Sequence, residues 1–519
     1  MIFRACGASS SGLPIPSKDL VVKAEDRAAA ASGALFEFSG HDLVTLLESG
    51  SVSSEEVMKS FLERIERVNP AVNALVSLRQ PDQCLADARR IDGLRSAGKP
   101  VGPLQGLPIA IKDLATTAGI RTTMGSLLYA DNFPAKDSPM VARLRAAGAI
   151  VVGKSNTPEF GLGSHTVNRV FGPTRNPWDP ERSAGGSSGG AAVAVALRML
   201  PFADGSDMMG SLRNPAGWNN VVGFRPSWGL VPNDRSNELF LHTLSTLGPM
   251  ARNVEDIALL LDSMAGFVTG APMSHGVGNV FRDHLRSQRG VDRLEGVRVG
   301  WIGGWDGALP MEDGILDVCE HGALSLLREL GAEIVPFVPD FSTAKLWESW
   351  CTLRSWAVAG KNGADYTDAS RRDKLNPETI WEIERGMALS ASAVHRAGVI
   401  RSDWHRYLEE VFAGYDLLAL PTAQVWPFPI AEGFPKAIGS TAMDTYHRWM
   451  EVVIPASLAA RPTVALPAGR GPAGTRGAGL PMGIQLMGRM RGDMEVLRIA
   501  SVYERACPWF FDRPEPAAR

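Results

Sequence analysis

A helix that is apolar on most of its faces has to lie between other layers of a protein, and residues 191–200 (AAVAVALRML) are such a helix. Directly before it stands the run Gly185-Gly186-Ser187-Ser188-Gly189-Gly190. Gly and Ser in this density suit a flexible linker, but a buried helix following at once changes the reading. Glycines there mark backbone that turns sharply, or approaches something closely, at a helix N-terminus. The chain must therefore build a layered interior around a tight turn that carries two hydroxyls.

With 519 residues, 45% hydrophobic and 21% charged, the chain is ordinary globular protein. Its 53 basic and 56 acidic residues are well mixed at net charge -3, which offers no electrostatic footprint for nucleic acid or an anionic membrane. Cys6, Cys84, Cys319, Cys351 and Cys507 lie far apart with no metal-binding spacing and read as reduced thiols. The first 35 residues lack the apolar core of a secretory signal, and no stretch reaches the ~18 apolar residues of a membrane span. The expected location is the cytoplasm.

Residues 1–38 are rich in Gly, Ser, Ala and Pro and are expected to be a loosely ordered extension, with 511–519 a tail. HDLVTLLESG and SSEEVMKSFLERIERVN read as two amphipathic helices, the second capped by Ser54 with Glu55 and Glu56 in its first turn. LPIAIKDL reads as a buried strand ending as Lys112 enters a loop, VARLRAAG as a helix and AIVVG as a strand. Strand and helix alternate again through VRVGWIGG, DGILDVCEHGALSLLRELG and EIVPFV, then DLLALPTA, PTVALPAG and MGIQLMGR before a last helix over 492–506. This order predicts an α/β layered sheet. Residues 342–412 are helical and carry Trp347, Trp350, Trp356, Trp381 and Trp404. With no repeat and no Pro-rich linker, one large domain is the simplest account.

Two motifs fail on context. Gly148 to Ser155 matches the phosphate-binding pattern G-x-x-x-x-G-K-[ST], but AIVV is itself the strand and SNTPEFGLG cannot be the helix that should follow. The glycine-serine run satisfies G-x-S-x-G twice, yet polar, proline-broken RNPWDPERSA stands where the motif needs a strand. Lys112 is more promising. A lysine after an apolar strand is most often a charge reaching the surface; to act as a base, burial or a cation must lower its pKa from ~10.4, and Asp113 must face elsewhere. In Gly205-Ser206-Asp207-Met208-Met209-Gly210-Ser211-Leu212-Arg213, glycines before Ser211 allow backbone N–H groups to converge on a developing oxyanion. A plain turn with an Asp207–Arg213 pair is the simpler alternative.

Taken together, NPAVNAL, LPIAIKDL, GKSNTPEFG, FGPTRNPWDP, GGSSGG, GSDMMGSLRNPA, VVGFRPSWGLVP, PTVALPAG and MGIQLMGR resemble the amidase signature family over residues 39–510. The resemblance implies a single α/β/α domain with a central twisted mixed sheet covered by helices, the helical part 342–412 lying near the substrate pocket. It implies Ser211 as nucleophile, Ser187 as the bridging serine after a cis bond, and Lys112 as base. The N–H groups of Met208, Met209, Gly210 and Ser211 would form the oxyanion hole, with Ser188, Asp207 and Arg213 in support. No metal and no cofactor are implied. The partner is a small-molecule amide, with neither nucleic acid nor membrane, and a homodimer is left open.

The chain departs from the family at one point, writing Met209-Gly210 where Gly-Gly is usual. Methionine in a left-handed conformation costs ~1–2 kcal/mol, so Met209 is expected to show an ordinary φ or local strain. Its side chain and that of Met208 could line the pocket floor. The tryptophans of 342–412 either cover the pocket mouth, favouring aryl or alkyl amides, or form helix core, and the core reading is preferred. The leading function is hydrolysis of a small carboxylic amide through an acyl-Ser211 intermediate. Carbamate or ester hydrolysis by the same triad is the alternative, followed by the glutaminase subunit of a tRNA-dependent amidotransferase and an inactive binding protein.

Overall fold

Two sheets organise the computed structural model, which describes residues 34–233, 238–276, 278 and 280–514. The smaller has strands β1 (Leu75–Val76), β2 (Pro108–Lys112) and β3 (Ile150–Ser155) in the order β1-β3-β2, with β2 parallel and β1 antiparallel to β3. The larger contains β4 (Phe202–Asp207), β5 (Val222–Arg225), β6 (Thr246–Ala251), β7 (Arg298–Trp301), β8 (Glu333–Pro336), β9 (Leu417–Pro421), β10 (Thr463–Arg470) and β11 (Pro481–Gly488). Its order is β8-β7-β9-β11-β10-β5-β6-β4, parallel across β8, β7 and β9 and antiparallel elsewhere. The edge strands β2 and β4 meet at a seam, where the Lys112 backbone N–H donates to Asp204 Oδ1 at 2.8 Å.

Side chains alternate across these strands and feed two separate cores, as the period of two requires. Ile109, Ile111, Val151, Phe202, Val464 and Leu466 belong to one. Ala110, Ile150, Val152, Ala203 and Ala465 belong to the other, with the whole apolar face of the 189–196 helix. Both faces of the sheet are thus covered, and the α/β/α arrangement follows.

Helices α1 (Gly40–Glu48) and α2 (Ser54–Val72) lie where the apolar spacing put them. The cap of α2 is Ser53 rather than Ser54. Ser53 Oγ accepts the Glu56 N–H at 3.1 Å and Glu56 Oε2 accepts the Ser53 N–H at 2.8 Å, and this reciprocal pair needs a spacing of three that Ser54 does not have. Of the expected N-terminal extension, residues 1–33 lie outside the described residues; Leu35–Glu37 form a 3₁₀ turn with Leu35 buried. Of the expected tail, 515–519 lie outside them, while Pro508–Phe511 form a 3₁₀ turn.

Helix α3 (Gly189–Ala196) is buried at every residue. A Cβ at Gly190 would stand 2.3 Å from the Asn156 nitrogen and 2.5 Å from the Ala74 carbonyl oxygen, so the helix start is pressed onto the backbone of the small sheet. That contact holds the preceding serines against β2. The Trp-rich part forms α4 (Thr343–Thr367), α5 (Ala369–Arg372), α6 (Pro377–Met387) and α7 (Ala391–Val411). Trp347, Trp350 and Trp404 are buried in the core. No helix among the described residues is long and apolar enough to cross a membrane.

Gly190→Ala should lower stability by about 1–3 kcal/mol through overpacking against unyielding backbone. Because the helix start carries Ser187 and Ser188, reactivity toward a serine-directed probe should fall as well. Thermal unfolding and labelling rates measured on the same preparation check both, and an unchanged melting temperature contradicts the packing argument.

Candidate active site

Lys112 ends β2 with no exposed surface, its Nζ placed 2.8 Å from Ser187 Oγ, 2.8 Å from Ser188 Oγ and 3.0 Å from Ser206 Oγ. Hydroxyls donate or accept as required, so these three partners serve an ammonium and an amine alike. Asp113 does face away, its carboxylate accepting the Thr123 N–H and hydroxyl. Burial pushes the Asp113 pKa up, against the opposing pull of Lys154 and Thr123. Ser188 also reaches β4, donating to the Ser206 carbonyl at 3.3 Å.

The peptide bond Gly186–Ser187 is cis. Gly185 has φ +75°, and a Cβ on it would meet Asn214 Oδ1 at 2.6 Å, so only glycine fits this turn. Asn214 Oδ1 accepts the Gly186 N–H at 3.2 Å. Thr166 Oγ1 accepts the N–H of Gly189 and donates to the Gly185 carbonyl, closing the loop on itself.

Ser211 follows a turn wrapped around one carboxylate. Asp207 Oδ1 accepts the Gly210 N–H at 2.9 Å and Oδ2 accepts the Leu212 N–H at 3.2 Å. Arg213 pairs with the same carboxylate (Nε–Oδ2 2.9 Å) and Arg225 joins it (Nη1–Oδ1 3.1 Å), all three side chains fully buried. Burial alone would raise the Asp207 pKa, but Arg213 and Arg225 more than offset it and hold the carboxyl well below its usual range. Arg213 continues to the Val453 carbonyl, Gln485 Oε1 and Ser457 Oγ, which ties the turn to two distant segments.

The Gly210 N–H, one of the four expected oxyanion donors, donates to Asp207 Oδ1. Gly210 takes the left-handed conformation at φ +74° and Met209 does not, so methionine is accommodated without backbone strain. The Met209 side chain is 3% exposed and packs in the core, away from the pocket, whereas Met208 lines it. Arg354 Nη1 lies 3.6 Å from the Met208 sulfur.

Ser187, Ser206 and Ser211 open onto a cavity of about 140 Å³ walled by Leu114, Phe160, Leu162, Leu353, Trp356 and Val358. Of the five tryptophans in 342–412, Trp356 alone lines it. Ser206 is a member of the site that no sequence motif marks. Its signal emerges only once β4 is recognised as a strand, because Asp204 and Ser206 then share the face turned toward Lys112. Lys154 of the phosphate-loop pattern is buried within β3 and bonds the Ala115 carbonyl and Thr117 Oγ1. Among the described residues no strand leads into the glycine-serine run.

The family model for Amidase matches residues 56–497. A glutamyl-tRNA(Gln) amidotransferase subunit of Moorella thermoacetica is 34% identical over 503 residues, covering 93% of this chain and 99% of that protein. An acylamidase of Rhodococcus erythropolis is 32% identical over 484 residues, covering 92% and 97%. The solved structure of a bacterial aryl acylamidase superposes with a TM-score of 0.84 at 28% identity, covering 93% of this chain and 99% of that one.

Because the folded-state pKa of Asp207 is depressed, its stabilisation is fully present above the unfolded value of about 3.9 and is lost as pH falls below it. Asp207→Asn leaves two buried guanidiniums without their counter-charge and should destabilise the protein at pH 7 by about 3–5 kcal/mol. Urea unfolding should show the gap between native and variant proteins narrowing as pH drops below 4, and a gap that widens there contradicts the assignment.

Proposed function

The chain belongs to the amidase signature family, and on that footing we propose that it hydrolyses a small carboxylic amide through an ester formed on Ser211. The observation that carries this reading is the 2.8 Å approach of Lys112 Nζ to Ser187 Oγ, beside a cavity that Ser187 shares with Ser211. Lys112, acting as an amine, accepts a proton through Ser187 while Ser211 Oγ attacks the amide carbonyl. The N–H groups of Met208, Met209 and Ser211 stabilise the oxyanion. The proton returns by the same route to the leaving nitrogen, the C–N bond breaks, and water then cleaves the ester to the acid. Ser188 and Ser206 hold the lysine nitrogen in place; Asp207 and Arg213 hold the turn.

Substrate class follows from the walls. An apolar cavity near 150 Å³ accommodates benzene, so the volume here, with Trp356, Phe160 and Leu114 on its lining, suits an aryl or branched alkyl group. The names of two relatives, acylamidase and aryl acylamidase, support the same choice. A second reading, a glutaminase subunit of an amidotransferase, is favoured by the 34% identity to a protein of that name over nearly its whole length. Free, buried thiols at Cys84, Cys319, Cys351 and Cys507 support a reducing compartment, and we place the protein in the cytoplasm.

Acetanilides should be hydrolysed faster than acetamide and faster than free glutamine, and matched anilide, carbamate and ester substrates rank the leaving groups. Ser211→Ala should abolish both turnover and labelling by a fluorophosphonate. Ser187→Ala and Lys112→Ala should each lower kcat/KM about 100- to 10,000-fold. Persistent labelling in Ser211→Ala would sink the assignment, and glutamine as the best substrate would transfer it to the second reading.

A further inference from the structure

Arg401, on α7, lines the same cavity as Ser211 and also bounds a wider outer cavity of about 610 Å³, sharing Leu353 and Trp356 between the two. Its guanidinium is bonded to neutral oxygens: Nε donates to the Leu458 carbonyl at 2.7 Å, Nη1 to Thr243 Oγ1 at 2.6 Å and Nη2 to the Thr243 carbonyl at 3.3 Å. A guanidinium has five N–H donors, so two are left over. The fully buried arginines of the site are met by carboxylates, Arg213 and Arg225 by Asp207, as is the nearby Arg354 by Glu382. Among the described residues no Asp or Glu pairs with Arg401, and none lines the inner cavity. Burial draws the Arg401 pKa down to about 10, which leaves it charged at neutral pH.

A cation in a largely apolar wall without a counter-ion raises the local preference for an anion, and the planar guanidinium fork matches a carboxylate. We propose that the substrate carries a carboxylate, distinct from the scissile amide, and that Arg401 binds it with its remaining N–H groups. Trp356 and Leu353 on the shared wall make the part of the substrate between the two functions apolar. This inference rests on the hydrolase reading above and narrows its substrate class to anionic aryl or alkyl amides. The competing role for Arg401 is a clamp between Thr243 and the Leu458 turn.

Two pairs that differ in charge test it: glutaranilate against valeranilide, with the carboxylate on the acyl side, and 4-acetamidobenzoate against acetanilide, with it on the amine side. The native enzyme should favour at least one anionic member by about tenfold or more in kcat/KM, chiefly through KM. Arg401→Gln should lower the anionic constant about tenfold more than the neutral one, and Arg401→Lys should restore part of the difference. Equal losses on both members make Arg401 a clamp and overturn the proposal, as does a native enzyme with no anionic preference in either pair. Should Arg401→Gln not fold, the native pairs decide, together with protection of Ser211 from the fluorophosphonate by benzoate against benzamide. Neutral anilides turned over without an anionic preference leave the hydrolase reading standing; absence of both turnover and Ser211 labelling overturns that reading and this one together.

Discussion

One buried nitrogen joins the two sheets, and the site is arranged around it. Lys112 is the last residue of β2, its backbone N–H bonded to Asp204 and its Nζ to hydroxyls on the glycine-serine turn and on β4. A lysine in this position requires polar partners on every approach, because an unsatisfied buried amine is destabilising by several kcal/mol. Those partners come from residues 75 to 94 positions away in sequence, so the seam between the sheets and the candidate reactive centre share the same contacts. Gly190 enforces the result from the other side, since α3 can approach the small sheet closely enough only without a side chain there.

Asp207 performs for the nucleophile the task that the serines perform for the lysine. Its carboxylate gathers two N–H groups of the turn and two guanidiniums, and the guanidinium of Arg213 reaches on to Gln485 in β11. Buried ion pairs gain little net stability over apolar packing. What this one provides is a fixed conformation for residues 208–211, with the Gly210 N–H held on the carboxylate. On the proposed hydrolysis, a turn fixed in this way needs no reorganisation as charge develops on the substrate.

The parts of this architecture that announce themselves in the sequence are those built by apolar periodicity. β2, β3 and β10 contain short runs of Ile, Val, Leu and Ala bounded by Gly or Pro, and the helix after GGSSGG is apolar nearly all round. β4 is different: Phe202-Ala203-Asp204-Gly205-Ser206-Asp207 has two carboxylates, a glycine and a hydroxyl in six buried positions, a composition that local propensity assigns to a turn. Asp204 and Ser206 are partnered by Lys112, 92 and 94 positions away, which no local pattern contains. That is what hides Ser206, whereas Asp207 gathers partners from its own turn and from Arg225. Lys112, Ser187 and Ser211 were reached through the motifs around them and not through periodicity. What three-dimensional structure adds is that Ser187 and Ser211 share one cavity and that Lys112, buried behind it, reaches Ser187.

The candidate catalytic residues lie within one stretch of the chain, and the cavity wall draws on several. The lysine, the serines and the Asp207 turn lie within residues 112–225, on strands whose packing leaves little room for change. The cavity wall takes Leu114, Phe160 and Leu162 from that stretch and adds Leu353, Trp356 and Arg401 from α4 and α7. A division of this kind lets one hydrolytic centre serve unlike molecules. It accounts for one relative named as part of an amidotransferase and another named as an acylamidase at nearly equal identity, 34% and 32%. In this chain the cavity wall carries a guanidinium whose hydrogen bonds all go to uncharged oxygens, and an incoming carboxylate is the group that balances it.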